Sequence, residues 1–428
     1  MNKMTYDQLN ETVYREVLPN GLQVILIPKQ EMLQTYGIFT TQYGSIDQTF
    51  VPLGEDEFIT VPDGIAHFLE HKLFEKEDYD VFQYFTKNGA SSNAYTSFTK
   101  TAYLFSSTTD ILDNTKILLD FVQEPYFSDQ TVEKEKGIIA QEIKMYDDQP
   151  DWRAFFGIIG AMYEKHPVRI DIAGTVDSIN QITKEDLYIC YHTFYHPSNM
   201  ILTLVGQFDP KEMIDMIKAN QESKEFAPPT TIKRHFEAEQ PKVYKKIEKI
   251  NMPVAVPKCM IGIKELPATD SKQFIKEELI ADMLLDYFYS RSGTYYQELY
   301  DLDLIDGGLG FETERQKEFC YSIIGGNTQY PDQLAEKVKE QLATFKDYQI
   351  AEEDFERMKR KSIGQIVRSM NRVSDIANQV THYQMLDFDF FKLIPTLEEI
   401  TLEETNSFLN NWIKENNVAV FQVIAEQK

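Results

Sequence analysis

The chain has 428 residues, long for one ordinary domain and suited to two or three. Its composition, 42% hydrophobic and 26% charged, is globular, and no stretch approaches the roughly 18 uncharged apolar residues of a membrane span. A net charge of −25 excludes a nucleic-acid reading, because phosphates would be repelled, and is compatible with attraction of cationic peptides.

The opening MNKMTYDQLNETVYREVLPNG has neither the apolar core nor the cleavage site of a secretory leader. Cys190, Cys259 and Cys320 are scattered and odd in number, with no metal-type spacing. Free thiols in a reducing, cytoplasmic setting are the expectation. VYREVLPNGLQVILIPK reads as a hairpin around Pro19-Asn20-Gly21, and YGIFTTQYGSID as a further strand. Helical signals run from Gly64 to about Lys87. NGASSNAYTSFTKTAYLFSST then reads as two strands. DILDNTKILLDFVQEPYF reads as an amphipathic helix stopped by Pro125, and a Ser/Asp cap opens a helix that runs to about Asp148. After more helix, NMILTLVGQF has the unbroken apolar run of a buried strand.

NQESKEFAPPTTIKRHFEAEQPK is polar, carries three prolines and lacks periodicity, so it reads as a linker. Beyond it the pattern restarts. VFQYFTKNGASSNAYTSFTKTAYLFSST is shadowed by YYQELYDLDLIDGGLGFETERQKEFCYSIIGGNT, and TVEKEKGIIAQEIKMY by EEDFERMKRKSIGQIV. An internal duplication is expected: an N-terminal domain over 1–225, a linker over 226–242 and a related C-terminal domain over 243–428.

The chain has seven histidines, and two of them, His67 and His71, stand four apart in HFLEH with Glu70 between. On a helix these positions share a face, so both imidazoles can point at one ion. Zinc accepts neutral imidazole nitrogen at about 2.0–2.1 Å, and a catalytic site keeps three protein ligands and one open position. Glu70 stands where it can take a proton from a water held there. The pattern is H-x-x-E-H. Two histidines on a solvated helix face can also arise by chance, so a third ligand is needed. EKEKGIIAQEI offers Glu135 and Glu142, two turns apart on one helix face, of which one can ligate while the other orients a ligand histidine. The other histidine pair at this spacing, His192 and His196, has no acid at the right offset, and Pro197 ends its helix, so those side chains are expected to serve the last carbonyls.

HFLEH, EKEKGIIAQE some seventy residues later and NGASSNAYTS between them together resemble the pitrilysin/insulinase family of zinc peptidases, which includes the mitochondrial processing peptidases; VPDGIAHFLEHKLFEK and QEIKMYDDQPDWR are most similar to its bacterial YmfH-type branch. The resemblance covers nearly the whole chain. It implies an α+β protein of two related αβ domains, each an antiparallel-rich sheet packed with helices, together forming half of a peptidase clamshell. It implies Zn2+ held by His67, His71 and Glu142, with Glu70 as general base and Glu135 orienting a ligand histidine. Ser92, Asn93 and Ala94 become the edge strand that pairs with the main chain of a peptide substrate. The second repeat reads DMLLD (Asp282 to Asp286) opposite HFLEH and SIGQI (Ser362 to Ile366) opposite IIAQE, so one zinc per chain is expected.

The implied activity is a zinc endopeptidase acting on peptides or unfolded segments. The alternatives are a peptide-binding or structural subunit, and a leader-peptide or maturation peptidase of one biosynthetic pathway. In the family the facing half usually supplies an Arg and a Tyr spaced R-x6-Y. Here that step is QELYDLDLIDGGLGF, which places Tyr300 and Gly307 at those positions, and R-x6-Y occurs nowhere in the chain. A heterodimer with a zinc-less homologue that carries both residues is therefore expected, with Tyr295 or Tyr296 as substitute donors otherwise.

Overall fold

The computed structural model describes residues 1–268 and 270–426. Its first nine strands are β1 (Asn2–Tyr6), β2 (Glu11–Val17), β3 (Gln23–Pro28), β4 (Thr35–Thr41), β5 (Thr49–Phe50), β6 (Ile59–Thr60), β7 (Ser91–Thr96), β8 (Thr101–Ser107) and β9 (Met200–Gly206). β5 and β6 form a small ribbon, and the other seven form one sheet in the order β1-β2-β3-β9-β4-β8-β7. The Pro-Asn-Gly turn closes the β2–β3 hairpin, setting Val17 opposite Gln23. β9 is buried at every position, as its apolar run requires of a strand covered on both faces. It inserts mid-sheet, parallel to β3 and antiparallel to β4. β7 ends the sheet and, among the described residues, pairs on one side only, with β8.

Four helices follow the expected segments: α1 (Ile65–Phe74), α2 (Val81–Lys87), α3 (Ile111–Val122) and α4 (Asp129–Asp147). The helical stretch expected from Gly64 to Lys87 is broken between α1 and α2. Glu75 and Asp80 bridge there, and the Asp80 carboxylate accepts the Phe82 N–H at 2.9 Å as the cap of α2.

The second sheet comprises β10 (Ile247–Met252), β11 (Lys258–Glu265), β12 (Gly310–Arg315), β13 (Cys320–Asn327) and β14 (Val418–Ala425), ordered β10-β14-β11-β13-β12. β14 is parallel to β10 and antiparallel to β11. Order and sense repeat those of β3-β9-β4-β8-β7, so the chain consists of two related αβ halves. No described helix is long and apolar enough to cross a membrane.

The compact units do not coincide with the sequence repeats. One unit comprises residues 1–143, 171–235 and 369–391, and the other comprises 144–170, 236–368 and 392–428. The helix Val373–Met385 packs on β4 and β9 of the first sheet, where the Thr381 and Thr203 hydroxyls meet at 2.7 Å and Asn378 bonds the hydroxyls of Tyr95 and Tyr36. Helix α5 (Pro150–Met162) packs on β11 and β14, the equivalent strands of the second sheet. Gly157 lets α5 approach closely, since an added Cβ would come within 2.1 Å of the Phe421 ring. Each repeat thus supplies one helix to the unit built on the other repeat's sheet. The segment read as a linker is held at both ends. Arg234 pairs with buried Asp47 at 2.7 Å in the first unit; in the second, Glu239 pairs with Lys264 at 2.8 Å and accepts the N–H groups of Glu164, Lys165 and His166.

His166, 2% exposed, stacks on Phe236, and its Nδ1 accepts the Val168 N–H at 3.1 Å. Burial pushes its pKa down from 6.5 to about 4. Between those values the unfolded chain binds a proton that the folded chain does not, so stability rises with pH across the window and falls on acidification. At the acid end this amounts to on the order of 3 kcal/mol. His166→Asn, which keeps the acceptor, is expected to flatten the pH dependence of unfolding free energy between pH 6.5 and 4. An unchanged slope in urea titrations would remove His166 as the source.

Candidate metal centre

The position of α1 is set at its first turn. Gly64 has φ +86°, and a Cβ there would meet the Ala173 carbonyl oxygen at 2.4 Å. Ser178 Oγ donates to the Asp63 carbonyl at 2.9 Å, tying the same turn down. Ile65, Ala66, Phe68, Leu69, Lys72 and Leu73 are buried. Lys72 pairs with Glu75. His67 and His71 share one face, with ring centroids 4.6 Å apart.

Helix α4 turns Val132, Glu135, Ile139 and Ile143 inward, and this rotation brings Glu135 and Glu142 to the histidines. Glu142 Oε2 lies 3.8 Å from His67 Nε2 and 3.6 Å from His71 Nε2. These separations are close to the edge of about 3.4 Å that a tetrahedron with zinc-length bonds requires. Among the described residues, the one group of three His, Cys, Asp or Glu whose ligand atoms lie within 4.8 Å of one another is His67, His71 and Glu142. Two imidazoles and a carboxylate are a ligand set that suits zinc, and a catalytic zinc takes three protein ligands.

The electrostatics favour the ligating, neutral form at His67 and draw positive charge toward His71. Burial, aided by the neighbouring His71, holds the His67 pKa down at about 4, against the pull of Glu142 and Glu135, so its imidazole is neutral at pH 7. His71 would also be lowered by burial, but the Glu135 hydrogen bond and the surrounding carboxylates outweigh this and raise it. The contact is His71 Nδ1 to Glu135 Oε1 at 2.9 Å, which orients the ring with Nε2 toward Glu142. Burial would lift Glu135, yet His71 holds its carboxyl below the usual range. Glu70 is 9% exposed, and burial raises its pKa against the opposing Thr96 hydrogen bond and His71 charge.

Ser92, Asn93 and Ala94 lie on β7, an edge strand of the first sheet, which packs against α1. Residues 92, 94 and 96 share one face of it. Thr96, which the sequence reading passed over, donates from Oγ1 to Glu70 Oε2 at 2.6 Å. The available signal was the period-two step beyond Ser92 and Ala94. His192 and His196 are not brought to a common ligand. His192 is exposed, whereas His196 bonds Ser198 Oγ at 2.8 Å and the Ala227 carbonyl at 2.7 Å through its two ring nitrogens.

In the second repeat the counterpart of α1 is the helix Ser271–Tyr289, and that of α4 is Glu352–Ser369. Asp286, opposite His71, pairs with Lys361 at 2.6 Å. An ion pair joins the two helices where the first repeat gathers its histidines and glutamates.

Residues 61–176 match the family model described as insulinase, peptidase family M16, and residues 181–362 match the peptidase M16 inactive domain. Over 420 residues, 98% of both chains, the sequence is 49% identical to a Bacillus subtilis (strain 168) protein described as an uncharacterized zinc protease, YmfH. A crystal structure described as an M16-like peptidase from Alicyclobacillus acidocaldarius superposes with a TM-score of 0.93 at 41% identity, covering 97% of this chain and 99% of that one. A protein of Arabidopsis thaliana described as mitochondrial-processing peptidase subunit beta is 28% identical over 163 residues, 36% of this chain and 30% of that one. The chain belongs to the M16, or insulinase/pitrilysin, peptidase family.

Proposed function

We propose that the chain is a zinc-dependent endopeptidase that cleaves peptides or unfolded segments. The observation that carries this reading is the convergence of His67 Nε2, His71 Nε2 and Glu142 Oε2 beside the buried carboxylate of Glu70. Zinc bound there supplies a water of lowered pKa and a Lewis acid for a carbonyl. Glu70 accepts the proton of the attacking water at Oε1, the oxygen Thr96 does not hold, and returns it to the leaving amine. Glu135 keeps His71 in the tautomer protonated on Nδ1. Ser92, Asn93 and Ala94 bind the substrate main chain by strand addition along the free edge of β7, with small side chains that permit close approach.

The donors for the developing oxyanion are the missing part. Tyr300 is exposed, and Gly307 stands where a phenol is needed. The Tyr295 hydroxyl is bonded to Thr344, and Tyr296 is 6% exposed. Neither tyrosine offers a free exposed hydroxyl, which favours donors supplied by another chain. In this reading the active species is a heterodimer that closes as a clamshell with a zinc-less homologue carrying the Arg and Tyr. Three free, buried cysteines suit a cytoplasmic setting.

The test measures zinc content and hydrolysis of a quenched-fluorescent peptide library. It uses the purified chain, then the chain with the candidate homologue, then with that homologue's Arg and Tyr replaced. Activity is expected only in the second arm. Full activity of the isolated chain would end the heterodimer reading, and zinc-loaded protein inactive with every partner would end the peptidase reading.

A further inference from the structure

We infer that Thr96 is a positioning residue for Glu70, joining the last residue of the substrate-pairing strand to the base; this rests on the peptidase reading above. Thr96 is the final residue of β7, two positions beyond Ala94 on the same face. Its Oγ1 lies 2.6 Å from Glu70 Oε2, on the helix that also carries both histidines.

A threonine hydroxyl has one proton to give, and two neighbours could take it. Thr101 Oγ1 is 3.4 Å away, Glu70 only 2.6 Å. Thr101 is fully buried and donates its own proton to the Tyr43 carbonyl at 2.8 Å. At the Thr96 contact it can therefore only accept. The shorter contact fixes the Thr96 proton on the Glu70 carboxylate, a charge-assisted bond, the stronger kind. Held by Oε2, the carboxylate keeps Oε1 for the reacting proton. When Glu70 has taken that proton at Oε1, its Oε2 is still an acceptor, so Thr96 goes on donating to it and the side chain stays in place. The Glu70–Thr96–Thr101–Tyr43 chain keeps every hydroxyl satisfied in both states of the base.

The anchor is also well placed for substrate. A peptide added to the free edge of β7 fixes that strand, and the strand's last side chain fixes the base. Loss of the hydroxyl should therefore lower kcat and spare KM. A residue that only packed the strand end would change stability and KM instead.

The experiment compares wild type, Thr96→Val and Thr96→Ser, with the homologous partner present if activity requires it. It reads zinc content, thermal unfolding, kcat and KM on one fluorogenic peptide, and the Glu70 side-chain position in crystals of the zinc-loaded valine variant. The valine variant is expected to bind zinc as wild type does, keep KM within about 2-fold and lose about 10–100-fold in kcat, with the Glu70 carboxylate displaced and serine restoring most of the rate. Wild-type kcat in the valine variant, an unmoved Glu70, or a serine variant as slow as valine would overturn the positioning role while leaving the peptidase reading intact. Should valine cost zinc or fold, Thr96→Ala takes its place: alanine about 10–100-fold slower in kcat with serine near wild type supports the hydroxyl, and alanine at wild-type kcat or serine as slow as alanine overturns it. A zinc-loaded wild type inactive with and without partner would overturn both readings.

Discussion

Glu70→Gln is expected to leave zinc bound and the fold intact while lowering kcat by at least about 10²-fold. Glutamine has nearly the same shape and can still accept the Thr96 hydroxyl, but its amide cannot hold a second proton at neutral pH. Glu70 is a buried residue of α1 and is not among the three groups that converge on the ion position, so its replacement should leave that position unchanged. Elemental analysis beside peptide hydrolysis checks both halves of the expectation. Near wild-type turnover would remove Glu70 as the base, and loss of zinc would make it a ligand.

The second large effect separates the two glutamates of α4. Glu142→Gln should lose zinc outright, because it removes the one anionic oxygen facing both Nε2 atoms, at 3.8 and 3.6 Å. Glu135→Gln should keep the metal more weakly, with a cost of about 10–100-fold in affinity or activity. Its carboxylate touches His71 Nδ1 at 2.9 Å, and a glutamine oxygen can still accept that bond without the charge. Zinc titration against a chromogenic chelator ranks the two variants. The reverse order of loss would mean that Glu135 ligates and Glu142 supports.

Local pattern was sufficient for the elements around the centre. The Pro-Asn-Gly turn, the alternation in NGASSNAYTS and the i, i+4 histidines each depend on residues within one or two turns, where backbone geometry dictates which side chains share a face. The break between α1 and α2 was not legible, because the helical signal continues through Lys76 and the Glu75–Asp80 bridge competes with it only after the chain folds back. Spacing alone put Glu135 and Glu142 on one face and left their roles open. Only the rotation of α4, set by burial of Val132, Ile139 and Ile143, decides which carboxylate meets Nδ1 and which meets Nε2. Thr96 was missed for a similar reason: the period-two step puts it on the face of Ser92 and Ala94, but what that face meets is settled only when the strand is laid beside α1.

By itself the sequence determined the two-repeat αβ organisation, the H-x-x-E-H helix and the absence of ligand residues in the second repeat, all consequences of residue type at short spacing. The tertiary structure decided what depends on distant surfaces meeting. It assigned α5 to β11 and β14 and the helix Val373–Met385 to β4 and β9, so packing units and sequence repeats divide the chain differently. It set an Asp286–Lys361 ion pair where the first repeat gathers its metal-ligand candidates. It also tied Glu70 to the end of β7 through Thr96. The physical reason is common to all three. A helix face or strand edge is defined locally, but its partner is chosen by which apolar surfaces bury one another, and those lie tens to hundreds of residues apart in the chain.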